Sequence, residues 1–232
     1  MWKQQIKITK YDQNKLKSMS DTILIEVPFK LVLNGEEILS TSMSPRNQKA
    51  LVIGYLKTHQ LIQNISDIQS LHIEHNIAKT IIQEQTTTIE HLSPQDYFIP
   101  YTQLPQLTAI FQDHAMLYRS TGTCHSAGLF QGTECISFSD DISRFNALYK
   151  TVGTAMLNNH SFDKKVLICS GKICHRIIQW LANVGIVMIA SRTGITNMAY
   201  NLARDHGITA IGFARGKHYS IYTHQHRLIK PS

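Results

Sequence analysis

Val166-Leu167-Ile168-Cys169-Ser170-Gly171-Lys172, Ile186-Val187-Met188-Ile189-Ala190-Ser191-Arg192-Thr193-Gly194 and Ile208-Thr209-Ala210-Ile211-Gly212-Phe213-Ala214-Arg215-Gly216-Lys217 decide the fold. Each opens on a short apolar run (Val166–Cys169, Ile186–Ala190, Ile208–Gly212) and closes on small and basic residues. Runs of this length bounded by Gly and Ser read as buried strands. Between them Ile173, Ile177 and Leu181 recur at helical spacing and stop at Gly185. Ile195, Met198, Ala199, Leu202 and Ala203 do the same and stop at Gly207. The alternation predicts an α/β fold with a mainly parallel sheet. Parallel strands bring their carboxyl ends to one edge, where open sheets of this class bind ligands. Small residues there let backbone N–H groups approach an anion, and Lys172, Arg192 and Arg215 supply charge. One such turn also fits an ordinary loop with solvated basic side chains. Three in register predict a phosphate or nucleotide site.

Working back toward the N-terminus, Phe145, Leu148, Val152, Ala155 and Met156 form one face of a helix, while Asn146, Lys150 and Gly153 share another. Asp140-Asp141 precedes it and reads as a helix cap complementing the dipole, or as acid/base or metal-holding carboxylates. Arg144 and Lys150 are possible ligand contacts. Gly128–Gln131 and Cys135–Phe138 predict a hairpin around Gly132-Thr133. Leu104–Ala115 is helical, and Glu84–Pro105, polar and with three prolines, reads as a linker or mobile loop. Asn34-Gly35 marks a tight turn, His75-Asn76 a second hairpin, and Ser44-Pro45 a helix start. Residues 1–20 read as a loose lead-in or an edge strand. A domain boundary is expected near residue 115.

Composition excludes several classes. No apolar run approaches the ~20 residues of a membrane-spanning helix. Met1-Trp2-Lys3-Gln4-Gln5-Ile6-Lys7 has no apolar core for a secretory signal, so a cytoplasmic location is expected. The net charge of +7 favours polyanionic partners. Its spread along the chain, with no basic tail, RNP-like signature or zinc-finger spacing, argues against nucleic acid.

Four cysteines are present: Cys124, Cys135, Cys169 and Cys174. Cys169, at the end of an apolar run, reads as a buried small hydrophobe, and so does Cys135. Cys124-His125 and Cys174-His175 are adjacent pairs, too tightly spaced for a zinc site. An imidazolium or a helix N-terminus lowers a thiol's pKa. Cys124, within Thr121-Gly122-Thr123, is therefore expected to be the thiol alkylated first.

An ordered set of motifs resembles the FdhD/NarQ family, the formate dehydrogenase accessory sulfurtransferases. Thr121-Gly122-Thr123-Cys124-His125-Ser126-Ala127 is similar to the family's T-G-x-x-H-A-A, and Asp140-Asp141-Ile142-Ser143-Arg144-Phe145-Asn146-Ala147-Leu148-Tyr149-Lys150 to E-D-V-G-R-H-N-A-V-D-K. Ser170-Gly171-Lys172, Ser191-Arg192-Thr193 and Ile211–Lys217 resemble its S-G-R, S-R-S and G-F-x-R-G segments. Glu26-Val27-Pro28, Val32–Gly35, Met43-Ser44-Pro45 and Leu51–Leu56 match more loosely. The chain departs from the family between Ile77 and Pro105, where a C-G-x-C-G loop carrying the persulfide cysteine is expected and no cysteine occurs. Phe145 and Tyr149 stand where His and Asp are expected, and His59-Gln60 where an acidic-Gly pair is.

The resemblance implies a cytidine-deaminase-like α/β domain over 116–232, without the deaminase zinc, and a smaller α+β domain over 1–115. It implies binding of a molybdenum bis(molybdopterin guanine dinucleotide) cofactor, or a GDP-like nucleotide, by Phe213, Ala214, Arg215, Gly216, Lys217 and His218. Lys172, Arg192, His125 and Arg144 would assist. Implied partners are a cysteine desulfurase, formate dehydrogenase or another molybdoenzyme, and a second copy of the chain. If transfer persists, Cys124 or Cys174 must substitute as the sulfur carrier, Cys124 ahead of Cys174. The alternatives are a sulfur-inactive nucleotide-binding or chaperone module, and a hydrolase-like enzyme using Asp140 or Asp141.

Overall fold

A computed structural model describes residues 2–83 and 96–231. Residues 2–20 are not a loose lead-in. From Lys3 they enter an antiparallel ribbon of β1 (Lys3–Asp12) and β2 (Lys15–Leu24), turning at Gln13-Asn14 with φ of 47° and 60°. Most of its side chains face solvent, so it lacks the apolar alternation that marks a half-buried strand.

The next four strands, β3 (Val27–Leu33), β4 (Glu36–Met43), β5 (Ile68–Glu74) and β6 (Ile77–Ile82), form a sheet ordered β4-β3-β6-β5. Asn34-Gly35 and His75-Asn76 make the expected tight turns, all four residues having positive φ. Helix α1 (Gln48–Thr58) starts three residues later than the Ser44-Pro45 signal predicts, after a left-handed Asn47. Ser44 is buried and bonded elsewhere, as described below.

Beyond residue 95 come β7 (Ile99–Pro100), α2 (Gln103–His114), α3 (Met116–Thr121), β8 (His125–Gln131), β9 (Glu134–Asp141) and α4 (Arg144–Leu157). β10 (Val166–Cys169), α5 (His175–Val184), β11 (Met188–Ser191), α6 (Asn197–Asp205), β12 (Thr209–Arg215), β13 (His218–Ile221) and β14 (Leu228–Ile229) complete the chain. The expected linker Glu84–Pro105 lies outside the described residues up to 95. Its far end is structured: β7 pairs with β14, and Ile99 and Leu104 are buried.

The main sheet is ordered β13-β12-β11-β10-β8-β9. Its centre, β10-β11-β12, is parallel as predicted, and the flanking β8, β9 and β13 are antiparallel to their neighbours. Both faces are covered, which is why the central strands are apolar without alternation. Leu167, Ile189 and Ala210 join a core with Ile177, Leu181, Ala199 and Val152. Val166, Ile168, Met188 and Ile211 pack on the other side with Leu104, Leu107 and Phe111 of α2. The helices α5 and α6 end at Gly185 and Gly207, both with positive φ, where the sequence places their stops.

The two sheets are joined through α1 and α4. A Cβ on Gly54 would lie 1.8 Å from the Tyr149 carbonyl oxygen, and one on Gly153 1.9 Å from that of Ala50. The backbones touch, so only glycine fits at either position. Beside this crossing Asp141 is fully buried and ion-paired with Lys150 at 2.5 Å. Asp141 also accepts from Ser44 N–H and Oγ, Ser143 N–H and Asn146 Nδ2, and Lys150 donates to the Ser44 carbonyl. Lys150 is therefore a structural tie and not a ligand contact. The Ser143 bond makes Asp141 a support for the start of α4, which favours the capping reading over acid/base chemistry. Among the described residues no helix is long and apolar enough to cross a membrane.

Candidate functional site at the sheet edge

The carboxyl ends of β10, β11 and β12 share one edge, and hydrogen bonds between their turns hold them in register. Ser191 Oγ donates to the Gly171 carbonyl at 2.7 Å, Ile173 N–H to Gly194 at 3.1 Å, and Phe213 N–H to Thr193 at 3.1 Å. Arg215 Nε donates to the Arg192 carbonyl at 2.8 Å. Because β8 runs antiparallel to β10, its first residues arrive at the same edge, and Ser170 N–H donates to the Ser126 carbonyl at 3.0 Å. A cavity of ≈ 360 Å³ opens here, lined by His125, Ser126, Ser170, Arg192, Thr193 and Arg215, with Phe111, Ala115 and Tyr118 from the α2–α3 segment and Cys124.

His125 is half-buried, with Nδ1 3.2 Å from Ser170 Oγ, which also accepts from Ser126 N–H at 3.0 Å. Burial, and then the Arg144 guanidinium, lower the imidazole's pKa. Ser126 Oγ donates to Asp140 at 2.5 Å, while burial raises the Asp140 carboxyl above its usual range. Asp140 thus stands behind Ser126 and Asp141 within the α1–α4 tie, so the pair does not present two carboxylates to one ligand.

Cys124 is the clearest correction. It lines the cavity, but it is buried, and desolvation with the Asp140 and Asp141 charges pushes its thiol up to about 12. The neighbouring His125 is neutral near pH 7 and does not offset this. The expectation of a depressed pKa fails because adjacency in sequence supplies no imidazolium. Burial likewise pushes Cys135 and Cys169 up to about 11. Cys174 differs: it is partly exposed and is the N-cap residue of α5.

The structure brings His125, Arg192, Arg215 and Cys124 together around the cavity. Arg144 lies just beside it, its side chain against Gly171 and its guanidinium 4.4 Å over the Phe145 ring, with a buried Nε that has no hydrogen-bond partner among the described residues. Lys172 is exposed and does not line the cavity. Phe213 is half-exposed in a left-handed conformation (φ 51°), its ring over Gly194, where a Cβ would lie 3.1 Å from it. Ala214 is a correction of another kind: its side chain is buried in the core beneath α2. Gly216 and Lys217 form the exposed β12–β13 turn, and His218 is exposed at the start of β13. Ser170 and the aromatic wall of Phe111 and Tyr118 were not singled out from sequence. Ser170 had a signal in its strand-end position, whereas the wall depends on α2 and α3 crossing to this edge.

Comparison with known proteins gives the family and the fold. Residues 24–95 and 77–229 match the FdhD/NarQ family model, the two segments overlapping over 77–95. The chain is 29% identical over 263 residues to the sulfur carrier protein FdhD of Staphylococcus aureus strain MRSA252, covering 96% of this chain and 95% of that one. It is 29% identical over 251 residues to the protein of the same description from strain JH9, with the same coverage. In three dimensions it is similar to a crystal structure described as a formate dehydrogenase accessory protein from Desulfotalea psychrophila. The TM-score is 0.87 at 19% identity, covering 99% of this chain and 100% of that one.

Proposed function

The chain belongs to the FdhD/NarQ family, and on that premise we propose that it is an accessory protein for formate dehydrogenase or another molybdoenzyme. Its ligand is a molybdopterin guanine dinucleotide form of the molybdenum cofactor, or a GDP-like nucleotide, held at the sheet edge. The observation that carries this reading is the convergence of Arg192, Arg215, His125 and Ser170 on one cavity. The unpartnered Arg144 Nε beside it supports an anionic ligand, since a buried donor left without an acceptor is costly. The cavity sits at the low end of the ~300–1,000 Å³ typical of small-molecule sites. It suits one nucleotide moiety, so a bis-dinucleotide would extend past the rim toward Lys172, Phe213, Lys217 and His218 or onto a second copy of the chain. In this reading Arg192 and Arg215 neutralise phosphate, His125 donates to a ligand oxygen, and Tyr118 and Phe111 exclude water from one side.

When bound, the molybdenum cofactor is the acceptor of sulfur. Cys124 reaches the cavity, but its raised pKa makes it a poor nucleophile, and Cys174 fits the carrier role better. The donor is a cysteine desulfurase. The division into 1–115 and 116–232, the cytidine-deaminase-like character of the second unit, a homodimer and a cytoplasmic location belong to the same proposal. A second reading, a nucleotide-binding or chaperone module without sulfur transfer, is favoured by three thiols pushed up by burial and by the missing loop cysteine.

Calorimetry with GDP tests the site. A charge-assisted hydrogen bond contributes about 1.5–3 kcal/mol, so Arg215→Ala should weaken binding roughly ten- to a hundredfold. Unchanged affinity would remove the site assignment. Cyanolysis after incubation with a desulfurase and cysteine separates the two readings: persulfide supports the carrier, its absence the module.

A further inference from the structure

The hydrogen bonds around Ser170 define where one proton sits. Ser170 Oγ accepts from Ser126 N–H, a group that can only donate, at 3.0 Å. A hydroxyl has one proton to give, and the other group within reach among the described residues is His125 Nδ1, at 3.2 Å. If Nδ1 carried a proton it would occupy the serine's second lone pair, leaving the serine proton with no protein acceptor. If Nδ1 accepts, every group is satisfied. The Ser170 backbone is held beside Ser126, since its N–H donates to the Ser126 carbonyl, and rotating the hydroxyl away would leave Ser126 N–H without its acceptor.

Resting on the nucleotide site proposed above, we infer that Ser170 is a positioning residue whose hydroxyl proton fixes His125 as the Nε2–H tautomer, so that the cavity offers a phosphoryl or carbonyl oxygen a hydrogen-bond donor. Burial and Arg144 keep the ring neutral near pH 7, so the tautomer decides what the ring presents. Nε2 is not among the buried polar atoms without a partner and has no hydrogen-bond partner among the described residues, which leaves it open to the cavity that His125 lines. With the other tautomer the cavity would face a lone pair, which repels a ligand oxygen. Arg192 and Arg215 supply charge. Ser170 and His125 supply direction.

Long-range 1H–15N NMR of histidine-labelled protein at pH 7.5, with His125→Gln to assign the signal, reads the tautomer directly. The expected result is an unprotonated Nδ1 and a protonated Nε2. In Ser170→Ala the preference is expected to collapse toward a mixture, with GDP binding weaker by about three- to tenfold, the scale of one neutral hydrogen bond. Ser170→Thr should restore both, which a merely structural loss would not. Protonated Nδ1 in the unmodified protein, or an unchanged tautomer in folded Ser170→Ala, overturns the inference. If the tautomer follows Ser170 but GDP fails to bind the unmodified protein, the positioning role is supported and the nucleotide reading fails.

Discussion

Replacing Lys150 with methionine is expected to destabilise the fold by about 3 kcal/mol, the low end of the ~3–5 kcal/mol for breaking a buried ion pair. Lys150 is 1% exposed and Asp141 0%, so neither charge is screened by water. Methionine keeps most of the side-chain volume and removes the ammonium, leaving the carboxylate uncompensated and the Ser44 carbonyl without its 2.9 Å donor. The cost stays at the low end because Asp141 retains the Ser44 N–H, Ser44 Oγ, Ser143 N–H and Asn146 donors at 3.1–3.2 Å. Urea unfolding measures it as a lower midpoint at unchanged slope. Adding Asp141→Asn should recover part of the loss, because the stranded charge is then gone and the two sites are directly coupled. GDP affinity of the folded variant should be unchanged, since Lys150 bonds Ser44 and Asp141 and does not line the cavity. A stability loss below about 1 kcal/mol, or lost GDP binding at full stability, would refute the structural role and return Lys150 to the ligand site.

Iodoacetamide labelling at pH 7.5, mapped by mass spectrometry, should modify Cys174 ahead of Cys124, Cys135 and Cys169, and early labelling of Cys124 would reverse this order. Gly153→Ala should cost at least the ~1–3 kcal/mol of ordinary overpacking, because its Cβ meets the Ala50 backbone and no side chain can yield; an unchanged melting temperature would contradict that contact. Because the Cys124 thiol has a folded-state pKa of about 12 against an unfolded value of 9.0, its contribution to stability is complete below pH 9 and fades as pH rises toward 12. Between those values stability should fall by up to about 1.4 kcal/mol per pH unit from this group, and Cys124→Ala should flatten the decline in pH-dependent urea melts.

Much of this architecture is legible in the sequence because its signals are local. The run Val166–Cys169 coincides with β10, and Gly185 and Gly207 mark the helix ends. The turns Asn34-Gly35 and His75-Asn76 need left-handed backbone and have residues that accept it. What was not legible depends on pairing across the chain. Asp141 and Lys150 look like site residues in one dimension, and only the arrival of Ser44 from 97 residues away makes them a tie. Ser44 also looks like a helix cap until that bond is seen. Cys124 looks activated because His125 follows it, yet burial dominates. The β1–β2 ribbon carries no burial pattern to read.

The sheet edge is held together within itself, and the reason lies in what holds each turn. Ser191, Gly171, Arg192, Arg215, Thr193 and Phe213 bond to one another, and Ser170 to Ser126 and His125. Every one of these bonds lies within residues 125–215, and the glycines under Arg144 and Phe213 are kept small by those side chains. Losing a cysteine loop between residues 77 and 105 removes none of these named contacts. The turns of the edge are therefore held together without any contact from that segment. GDP binding at full strength before any persulfide forms is the expected outcome. An edge that binds GDP only after persulfide formation on Cys174 would show that the two remain coupled.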